Sequence, residues 1–170
     1  MRYFLIGFMG SGKTYWANEW SRAFNIPAFD LDEEIEKAQQ KSIDRIFKDE
    51  GEDAFRKIER RMLHSFFKKD NFILSCGGGT PCFYRNIDAM NKHGVTIYLK
   101  SDAKFLAERL RFEKETRPLI KNITEEMLEQ FIEQKLSSRT EFYSKAMYHL
   151  PAQFINNENF ERIKFRHAKS

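Results

Sequence analysis

The octapeptide GFMGSGKT, residues 7–14, is the feature that most constrains how this chain can fold. It matches the pattern G-x-x-x-x-G-K-[ST] in full, and it stands between the apolar run RYFLI and the amphipathic run YWANEWSRAF. Such a loop connects a buried strand to a helix, because its glycines allow successive N–H groups to converge on one anion. The helix that follows adds the positive end of its dipole. We therefore predict a nucleoside triphosphate site, with a chance glycine-rich turn as the alternative.

The side chains of this loop have separate expected tasks. Lys13 brings a positive charge to the β- and γ-phosphates, and Thr14 offers its hydroxyl to Mg²⁺. The other nucleotide contacts predicted in this segment are Gly10, Ser11, Gly12 and Tyr15.

Short apolar runs alternate with amphipathic runs along all 170 residues, a length that suits one domain. This alternation predicts a doubly wound parallel sheet with helices on both faces and the ligand at the carboxyl ends of the strands. The predicted strands are Tyr3–Ile6, Ala28–Phe29, Phe72–Ser75, Val95–Leu99 and Gln153–Ile155. The predicted helices are Lys13–Phe24, Glu33–Gln40, Ile43–Asp49, Asp53–Lys68, Ile87–Lys92, Ala103–Phe112, Glu125–Lys145 and Asn159–Phe165, with Gly94 as a helix stop and Ser101 and Thr124 as N-caps.

Composition excludes little. The net charge of +4 fits a nucleic-acid-binding protein and equally an enzyme with anionic substrates. The basic tail ERIKFRHAKS is short and mixed, which favours a solvated terminus over a nucleic-acid contact. Cys76 and Cys82 lack metal-site spacing and are expected as reduced thiols, with a disulfide as the alternative. No apolar run is long enough to span a membrane, so we expect a soluble, cytoplasmic protein.

The segment FDLD places Asp30 and Asp32 at the end of the second predicted strand. A spacing of two in an extended segment turns both carboxylates toward one face. One carboxylate could hold the water shell of Mg²⁺ while the other accepts a proton from an alcohol. The alternative is an ordinary helix N-terminus, where Asp is favoured, and taken alone this segment favours that alternative.

Two further segments bear on the same edge of the sheet. FILSCGGGTP ends a buried strand in Gly77, Gly78 and Gly79, and three consecutive glycines indicate close approach of the backbone to a ligand. In that strand Ser75 could touch the waters of the metal. DAFRKIERR begins a basic amphipathic helix that carries Arg56, which is either a solvated surface residue or a bidentate grip on a carboxylate.

The charged segment EKETRPLIKNIT lies between two strongly predicted helices and is interrupted by Pro118. It is either a solvated connector or a lid that closes over a nucleotide and carries Arg117 with it. A positive charge that arrives on closure would stabilise the transferring phosphoryl group, as an arginine finger does. Arg139, in KLSSRTEFY, cannot be distinguished from a surface arginine on its own.

The segments GFMGSGKT, FDLD, FRKIE, SCGGGT, TRPL and SSRTEFY, in this order and at this spacing, resemble the shikimate kinases. The resemblance covers nearly the whole chain, from Gly7 to about Tyr143. It implies a three-layer αβα P-loop kinase fold like that of the nucleoside monophosphate kinases, with a five-stranded parallel sheet. It also implies a small helical substrate-binding region near residues 31–61 and a mobile lid near residues 112–124.

The activity that the resemblance implies is ATP-dependent phosphorylation of the 3-hydroxyl of shikimate, in the route to chorismate and the aromatic amino acids. ATP, shikimate and Mg²⁺ are then the expected ligands of a monomer that binds neither nucleic acid nor membrane. By position, Asp32 resembles the carboxylate that binds shikimate hydroxyls and takes the proton, and Asp30 resembles the outer-shell partner of Mg²⁺. Lys13 and the lid residue Arg117 complete the implied catalytic set.

The resemblance also implies how the acceptor is held. Arg56 and Arg139 resemble the pair that grips the substrate carboxylate, and Glu59 would orient Arg56. The amide of Gly78 and its neighbours Gly77 and Gly79 would contact the ring hydroxyls.

The chain also departs from the family pattern. Its INNENFERI segment lacks the arginine that the family often places near the adenine, so we expect that contact from Arg109 or Arg111 and from backbone. GGGTPCF differs from the small-residue continuation that usually follows the glycines. The nearest alternative is another small-metabolite kinase of the same fold, such as a gluconate kinase, and a more distant one is a non-catalytic nucleotide-binding module.

Overall fold

The computed structural model describes residues 1–114 and 118–167. Five strands form one sheet: β1 Arg2–Ile6, β2 Ala28–Asp30, β3 Phe72–Ser75, β4 Val95–Lys100 and β5 Tyr148–Pro151. The strand order is β2-β3-β1-β4-β5, and every neighbouring pair is parallel. The predicted five-stranded parallel sheet is therefore confirmed, with β1 at its centre.

The helices that connect the strands are α1 Lys13–Phe24, α2 Leu31–Gln39, α3 Ile43–Phe66, α4 Asn86–His93, α5 Ala103–Leu110, α6 Pro118–Lys121, α7 Glu125–Tyr143 and α8 Asn157–His167. Short 3₁₀ turns cover Thr80–Cys82 and Ala152–Phe154. Among the residues described, no helix is long and apolar enough to cross a membrane.

Alternation along the central strand divides the core into two layers of packing. Phe4 and Ile6 point into a cluster with the apolar faces of α2, α3, α4 and α7. Tyr3 and Leu5 point the other way, into a cluster with α1 and α8. Because both faces of the sheet are covered, its three inner strands β3, β1 and β4 are buried on both sides, and the three-layer α/β fold is confirmed.

A third apolar cluster lies at one end of the sheet, where it supports the phosphate loop. Phe8 of that loop packs with Leu110 of α5 and with Leu128 and Ile132 of α7. Ile120 of α6 is also completely buried in this cluster. The segment expected as a lid thus contains a helical turn anchored by one apolar side chain, and its movement stays a prediction.

Several sequence-based boundaries need correction. The strand predicted at Gln153–Ile155 is wrong, because those residues start in a 3₁₀ turn and the true edge strand is Tyr148–Pro151. That strand is exposed at every second residue, so it lacks the apolar run by which a buried strand is detected. The two helices predicted on either side of Gly51 are confirmed as two helical segments of α3, separated by a kink at that residue, where φ is 83°.

Two of the predicted helix ends hold and one does not. Gly94 closes α4, as predicted, and Thr124 precedes α7 as its N-cap residue. Ser101 is not the N-cap of α5, because the side chain of Asp102 accepts a bond from the N–H of Phe105 at 2.7 Å. Both cysteines are free thiols.

Candidate active site

The loop between β1 and α1 has the backbone geometry of an anion cradle. Gly10 and Gly12 have φ values of 79° and 91°, in the left-handed region that L side chains rarely adopt. A Cβ atom at Gly10 would lie 3.0 Å from Cγ of Leu110, so the space there also requires glycine. Helix α1 begins at Lys13, whose ammonium donates to the carbonyl of Phe8 at 2.8 Å. The predicted strand, cradle and helix are all present.

Three oxygen-bearing side chains meet beside the cradle. The hydroxyl of Thr14 donates to Oδ2 of Asp30 at 2.8 Å, and it lies 3.1 Å from Oγ of Ser75. Asp30 and Ser75 are brought together because β2 and β3 pair in register at these two residues. Oδ1 of Asp30 also accepts from the N–H groups of Asp32 and Glu33, which makes it the N-cap of α2. Both interpretations of Asp30, metal partner and helix cap, are therefore compatible with its position.

These donors suit a magnesium ion that arrives with its nucleotide. In the part of the chain that the structure describes, no three His, Cys, Asp or Glu side chains group closely enough to hold a metal. Two hydroxyls and one carboxylate are hard oxygen ligands, and Mg²⁺ usually keeps several waters and takes its other ligands from substrate phosphates. The residues present fit that mode of binding.

Asp32 does not lie in an extended segment, as the spacing in FDLD predicted. It is the second residue of α2, yet its carboxylate still lines the cavity beside the cradle. Its pKa is raised to about 7, first by loss of solvent and then by the negative charges of Asp30 and Glu59, and Lys13 and Arg56 oppose this rise. A carboxylate with a pKa near neutrality can exchange a proton with a substrate hydroxyl at physiological pH.

A cavity of about 330 Å³ opens at the carboxyl ends of β1, β2 and β3. Its lining comes from the phosphate loop and the start of α1, the turn from β2 into α2, the stretch 75–78 after β3, and α5 through Arg109. This is the edge of a doubly wound sheet at which a ligand is expected. Most of the predicted nucleotide and metal residues thus share one cavity with Asp32: Gly10, Gly12, Lys13, Thr14, Tyr15, Asp30 and Arg109.

The guanidinium of Arg56 is held inside the protein rather than in solvent. Its Nη1 donates to Oε2 of the fully buried Glu59 at 2.9 Å. Its Nε and Nη2 donate to Oε1 of Glu52 at 3.3 and 3.2 Å. Glu59 is itself fixed by the hydroxyl of Thr80, which donates to its Oε1 at 2.6 Å. The surface interpretation of Arg56 is excluded, and Glu59 orients this side chain.

The three consecutive glycines each make room for a different charged side chain. A Cβ atom at Gly77 would lie 3.0 Å from Oδ1 of Asp32, and one at Gly78 would lie 3.2 Å from Nη1 of Arg139. A Cβ atom at Gly79 would lie 2.5 Å from Nη2 of Arg56. The backbone of this stretch therefore lies close to three protein side chains, and its approach to a ligand stays a prediction.

Arg139 reaches this stretch from α7. Its guanidinium lies 5.2 Å from the ring centroid of Phe8, in the phosphate loop. One turn further along the helix, the hydroxyl of the buried Tyr143 donates to the carbonyl of Gly78 at 2.6 Å, and burial raises its pKa above the usual range. This bond ties α7 to the glycine stretch, and the guanidinium of Arg139 lies against Gly78, which lines the cavity.

The remaining residues predicted to contact the nucleotide differ in how close they lie to the cavity. Tyr15 lines the mouth of the cavity and is 59% exposed, and Ser11 is buried within the loop. Arg109 lines the cavity near the phosphate loop, where its Nη1 lies 3.9 Å from the position of a Cβ atom on Gly12. Arg111 is exposed beside Phe112 and does not line the cavity. Arg117 lies outside the described residues.

Apart from Glu59, sequence reasoning missed the residues that hold the two arginines in place. Tyr143 stands four positions after Arg139, a helical spacing from which their shared face could have been inferred. Glu52 stands four positions before Arg56 and offered the same signal. Thr80, by contrast, binds a glutamate 21 residues away, and no local pattern indicates that pairing.

A central strand that ends in a phosphate cradle, with a carboxylate and two arginines beside it, defines a P-loop phosphotransferase. The sequence profile of the shikimate kinase family matches residues 9–164 of the chain. The protein belongs to that family.

Individual relatives agree with this assignment. The shikimate kinase of Parabacteroides distasonis is 41% identical over 158 residues, which cover 93% of this chain and 91% of that protein. The crystal structure of shikimate kinase from Bacteroides thetaiotaomicron superposes with a TM-score of 0.87 at 37% identity, covering 99% of this chain and 97% of that one. Shikimate kinase from Acinetobacter baumannii, solved in complex with shikimate, shares the fold with a TM-score of 0.84 at 24% identity, over 99% and 94% of the chains.

Proposed function

We propose that this protein transfers the γ-phosphoryl group of ATP to the 3-hydroxyl of shikimate, giving shikimate 3-phosphate and ADP. One observation carries the proposal for this site: Asp32, Arg139 and Arg56 converge on three successive glycines beside the phosphate cradle. That arrangement offers one proton acceptor for a hydroxyl and two guanidiniums for a carboxylate. Shikimate, a compact carboxylic acid with ring hydroxyls, carries both groups.

On the nucleotide side, the amides of Gly10, Ser11 and Gly12 bind the phosphates and Lys13 neutralises their charge. Thr14 would ligate Mg²⁺, and Asp30, with Ser75, would hold its water shell. When bound, the ion supplies charge neutralisation of the triphosphate. Tyr15 and Arg109 line the remaining wall, and the position of Arg109 supports a contact with the phosphates more than with the adenine.

On the acceptor side, Arg56 and Arg139 bind the carboxylate of shikimate. Bidentate guanidinium–carboxylate bonds fix direction as well as distance, so they also orient the ring. Backbone groups of Gly77, Gly78 and Gly79 then contact the ring hydroxyls.

Asp32 takes the proton of the reacting hydroxyl. Its pKa of about 7 supports this role, since general-base efficiency is greatest when the pKa lies near the operating pH. Closure of the segment near residues 112–124 would bring Arg117 to the transferring group, where its charge stabilises the transition state.

We further propose that the enzyme works in the cytoplasm as a monomer. The two free thiols, of which Cys76 is buried, support a reducing compartment. Size-exclusion chromatography with light scattering measures the oligomeric state directly.

The proposed reaction is tested by ADP release from purified protein with ATP, Mg²⁺ and one candidate acceptor at a time. We expect release with shikimate, and only background release without an acceptor or with gluconate. Release with gluconate in place of shikimate would favour the alternative kinase. Nucleotide binding without acceptor-dependent release would indicate a non-catalytic module and contradict the proposal.

A further inference from the structure

The aromatic ring of Phe83 lies against the guanidinium of Arg56, with Cζ 4.2 Å from the ring centroid. The ring of Phe55 lies farther away, at 5.0 Å. We propose that Phe83 is a positioning residue for the acceptor site, which acts on substrate binding through Arg56. The proposal rests on the role proposed above for Arg56 as a ligand of the substrate carboxylate.

The contacts of Arg56 divide into two kinds that restrain different motions. Glu59 and Glu52 accept hydrogen bonds from its nitrogens, and such bonds lie near the plane of the guanidinium. They therefore set where the group points within its plane. A ring near the guanidinium carbon attracts it through the ring quadrupole and limits its tilt.

The ring of Phe83 is placed by the same short segment that places Glu59. Thr80, in the 3₁₀ turn after the glycines, binds Glu59, and Phe83 directly follows that turn. The segment is closed by Asn86, whose backbone N–H donates to the carbonyl of Phe83 at 2.9 Å and whose Nδ2 donates to the carbonyl of Thr80 at 3.0 Å. One rigid turn thus fixes both the carboxylate and the ring that face Arg56.

This arrangement gives a physical reason for the bulky residue in GGGTPCF. With glycine at position 79, no Cβ atom occupies the space that the guanidinium fills. The ring of Phe83 borders this space and limits the movement of the Arg56 guanidinium within it. The mean effect of such a contact is modest, so we expect it in substrate affinity rather than in turnover.

The adjacent residue supplies a matched control. Tyr84 lies beside Arg60, one helical turn after Arg56, with Cζ 5.4 Å from its ring centroid. Its hydroxyl donates to Asp53 at 2.9 Å, and both Tyr84 and Arg60 are exposed. Both residues line a different cavity, on the outer side of α3, whereas the guanidinium of Arg56 lies against Gly79 in the glycine stretch. The pair Phe83 and Tyr84 therefore presents two neighbouring arginine–ring contacts, only one of which faces the proposed site.

The test measures steady-state KM and kcat for Phe83→Leu, Phe83→Tyr and Tyr84→Leu, with melting temperatures to verify folding. We expect Phe83→Leu to raise the KM for shikimate about 5- to 20-fold, with kcat and the KM for ATP within about 2-fold of wild type. Phe83→Tyr keeps the ring and should keep the wild-type KM, and Tyr84→Leu should change neither constant. Equal losses in Phe83→Leu and Phe83→Tyr, or an unchanged KM in Phe83→Leu, would overturn the inference.

Arg56→Ala and the double variant Arg56→Ala/Phe83→Leu separate this inference from the proposed function. If Phe83 acts through Arg56, the double variant has the same KM for shikimate as Arg56→Ala alone, because the contact is already absent. Additive losses would show that Phe83 acts elsewhere and would overturn the inference. An unchanged KM in Arg56→Ala would instead contradict the proposed role of Arg56.

Discussion

The two sides of the cavity are built in opposite ways. The nucleotide side is made of one contiguous loop, and its shape depends on backbone angles at Gly10 and Gly12. The acceptor side is made of side chains from α2, α3 and α7 that meet on three glycines. Backbone groups carry no net charge, whereas Asp32, Arg56 and Arg139 do. The acceptor side therefore depends on how neighbouring groups neutralise these charges. Substitutions there should change the affinity for shikimate without changing the affinity for ATP.

The largest effect on turnover is expected at Lys13, which brings a positive charge to the nucleotide side. Lys13→Met should lower kcat about 10³-fold or more, because the positive charge that stabilises the transferring phosphoryl group is lost. Isothermal titration should find the affinity for shikimate within about 3-fold of wild type, a difference of less than about 0.7 kcal/mol. A comparable loss of shikimate affinity would mean that the two sides are not independent.

Gly79→Ala should weaken the binding of shikimate without affecting the binding of ATP. Its φ of −88° is ordinary for alanine, but the new Cβ atom would lie 2.5 Å from Nη2 of Arg56 and displace the guanidinium. We expect the KM for shikimate to rise about 10- to 100-fold, in line with loss of a charged hydrogen bond, while the KM for ATP stays constant.

The control for Gly79→Ala is the same change in an Arg56→Ala background. There the methyl group has room, so it should cause no further rise in KM. A further rise of similar size would show that Gly79 is required for some other reason, such as direct contact with the ring hydroxyls.

The raised pKa of Asp32 should make the free energy of unfolding depend on pH. Its pKa is raised from 3.8 to about 7 in the folded protein, so between these values the unfolded chain loses a proton that the folded protein keeps. The free energy of unfolding therefore falls as the pH rises through this window. Asp32→Asn should be more stable than wild type by about 1–3 kcal/mol at pH 8, and this gain should vanish near pH 4. Urea titrations at pH 8 and pH 4 measure the free energies of unfolding. An equal difference between the two proteins at both pH values would contradict the raised pKa of Asp32.

The smallest expected effect has the opposite direction from the others. Glu52→Gln keeps an oxygen that can accept the hydrogen bonds of Arg56, but it removes a negative charge that lies 3.2 Å from Nη2 of Arg56 and competes with the substrate carboxylate. Because Glu52 is largely exposed, we expect only about a 2- to 5-fold decrease in the KM for shikimate. Asp53→Asn, one residue further along the chain, removes a carboxylate that pairs with Lys57 and should have no effect. A raised KM for shikimate in Glu52→Gln would mean that the negative charge of Glu52 helps to position Arg56 more than it competes with the substrate carboxylate.

Sequence reasoning succeeded where structure is local. The cradle was complete in GFMGSGKT, and the alternation of apolar runs gave the layers of the sheet, because both patterns depend on neighbouring residues. The edge strand at Tyr148–Pro151 was missed because it is half exposed. On the acceptor side, Arg56 and Arg139 were recognisable only through family resemblance. Thr80 and Phe83, which contact Glu59 and Arg56, come from a segment that is distant in sequence and meets α3 only after folding.

In the proposed site, the two arginines beside the glycine stretch bind the carboxylate of shikimate while Asp32 faces its hydroxyls. A crystal structure with shikimate and ADP tests it most directly. We predict carboxylate oxygens about 2.7–2.9 Å from guanidinium nitrogens of both Arg56 and Arg139, and an oxygen of Asp32 within hydrogen-bond distance of the 3-hydroxyl. Shikimate bound with its carboxylate turned away from both arginines would contradict the account.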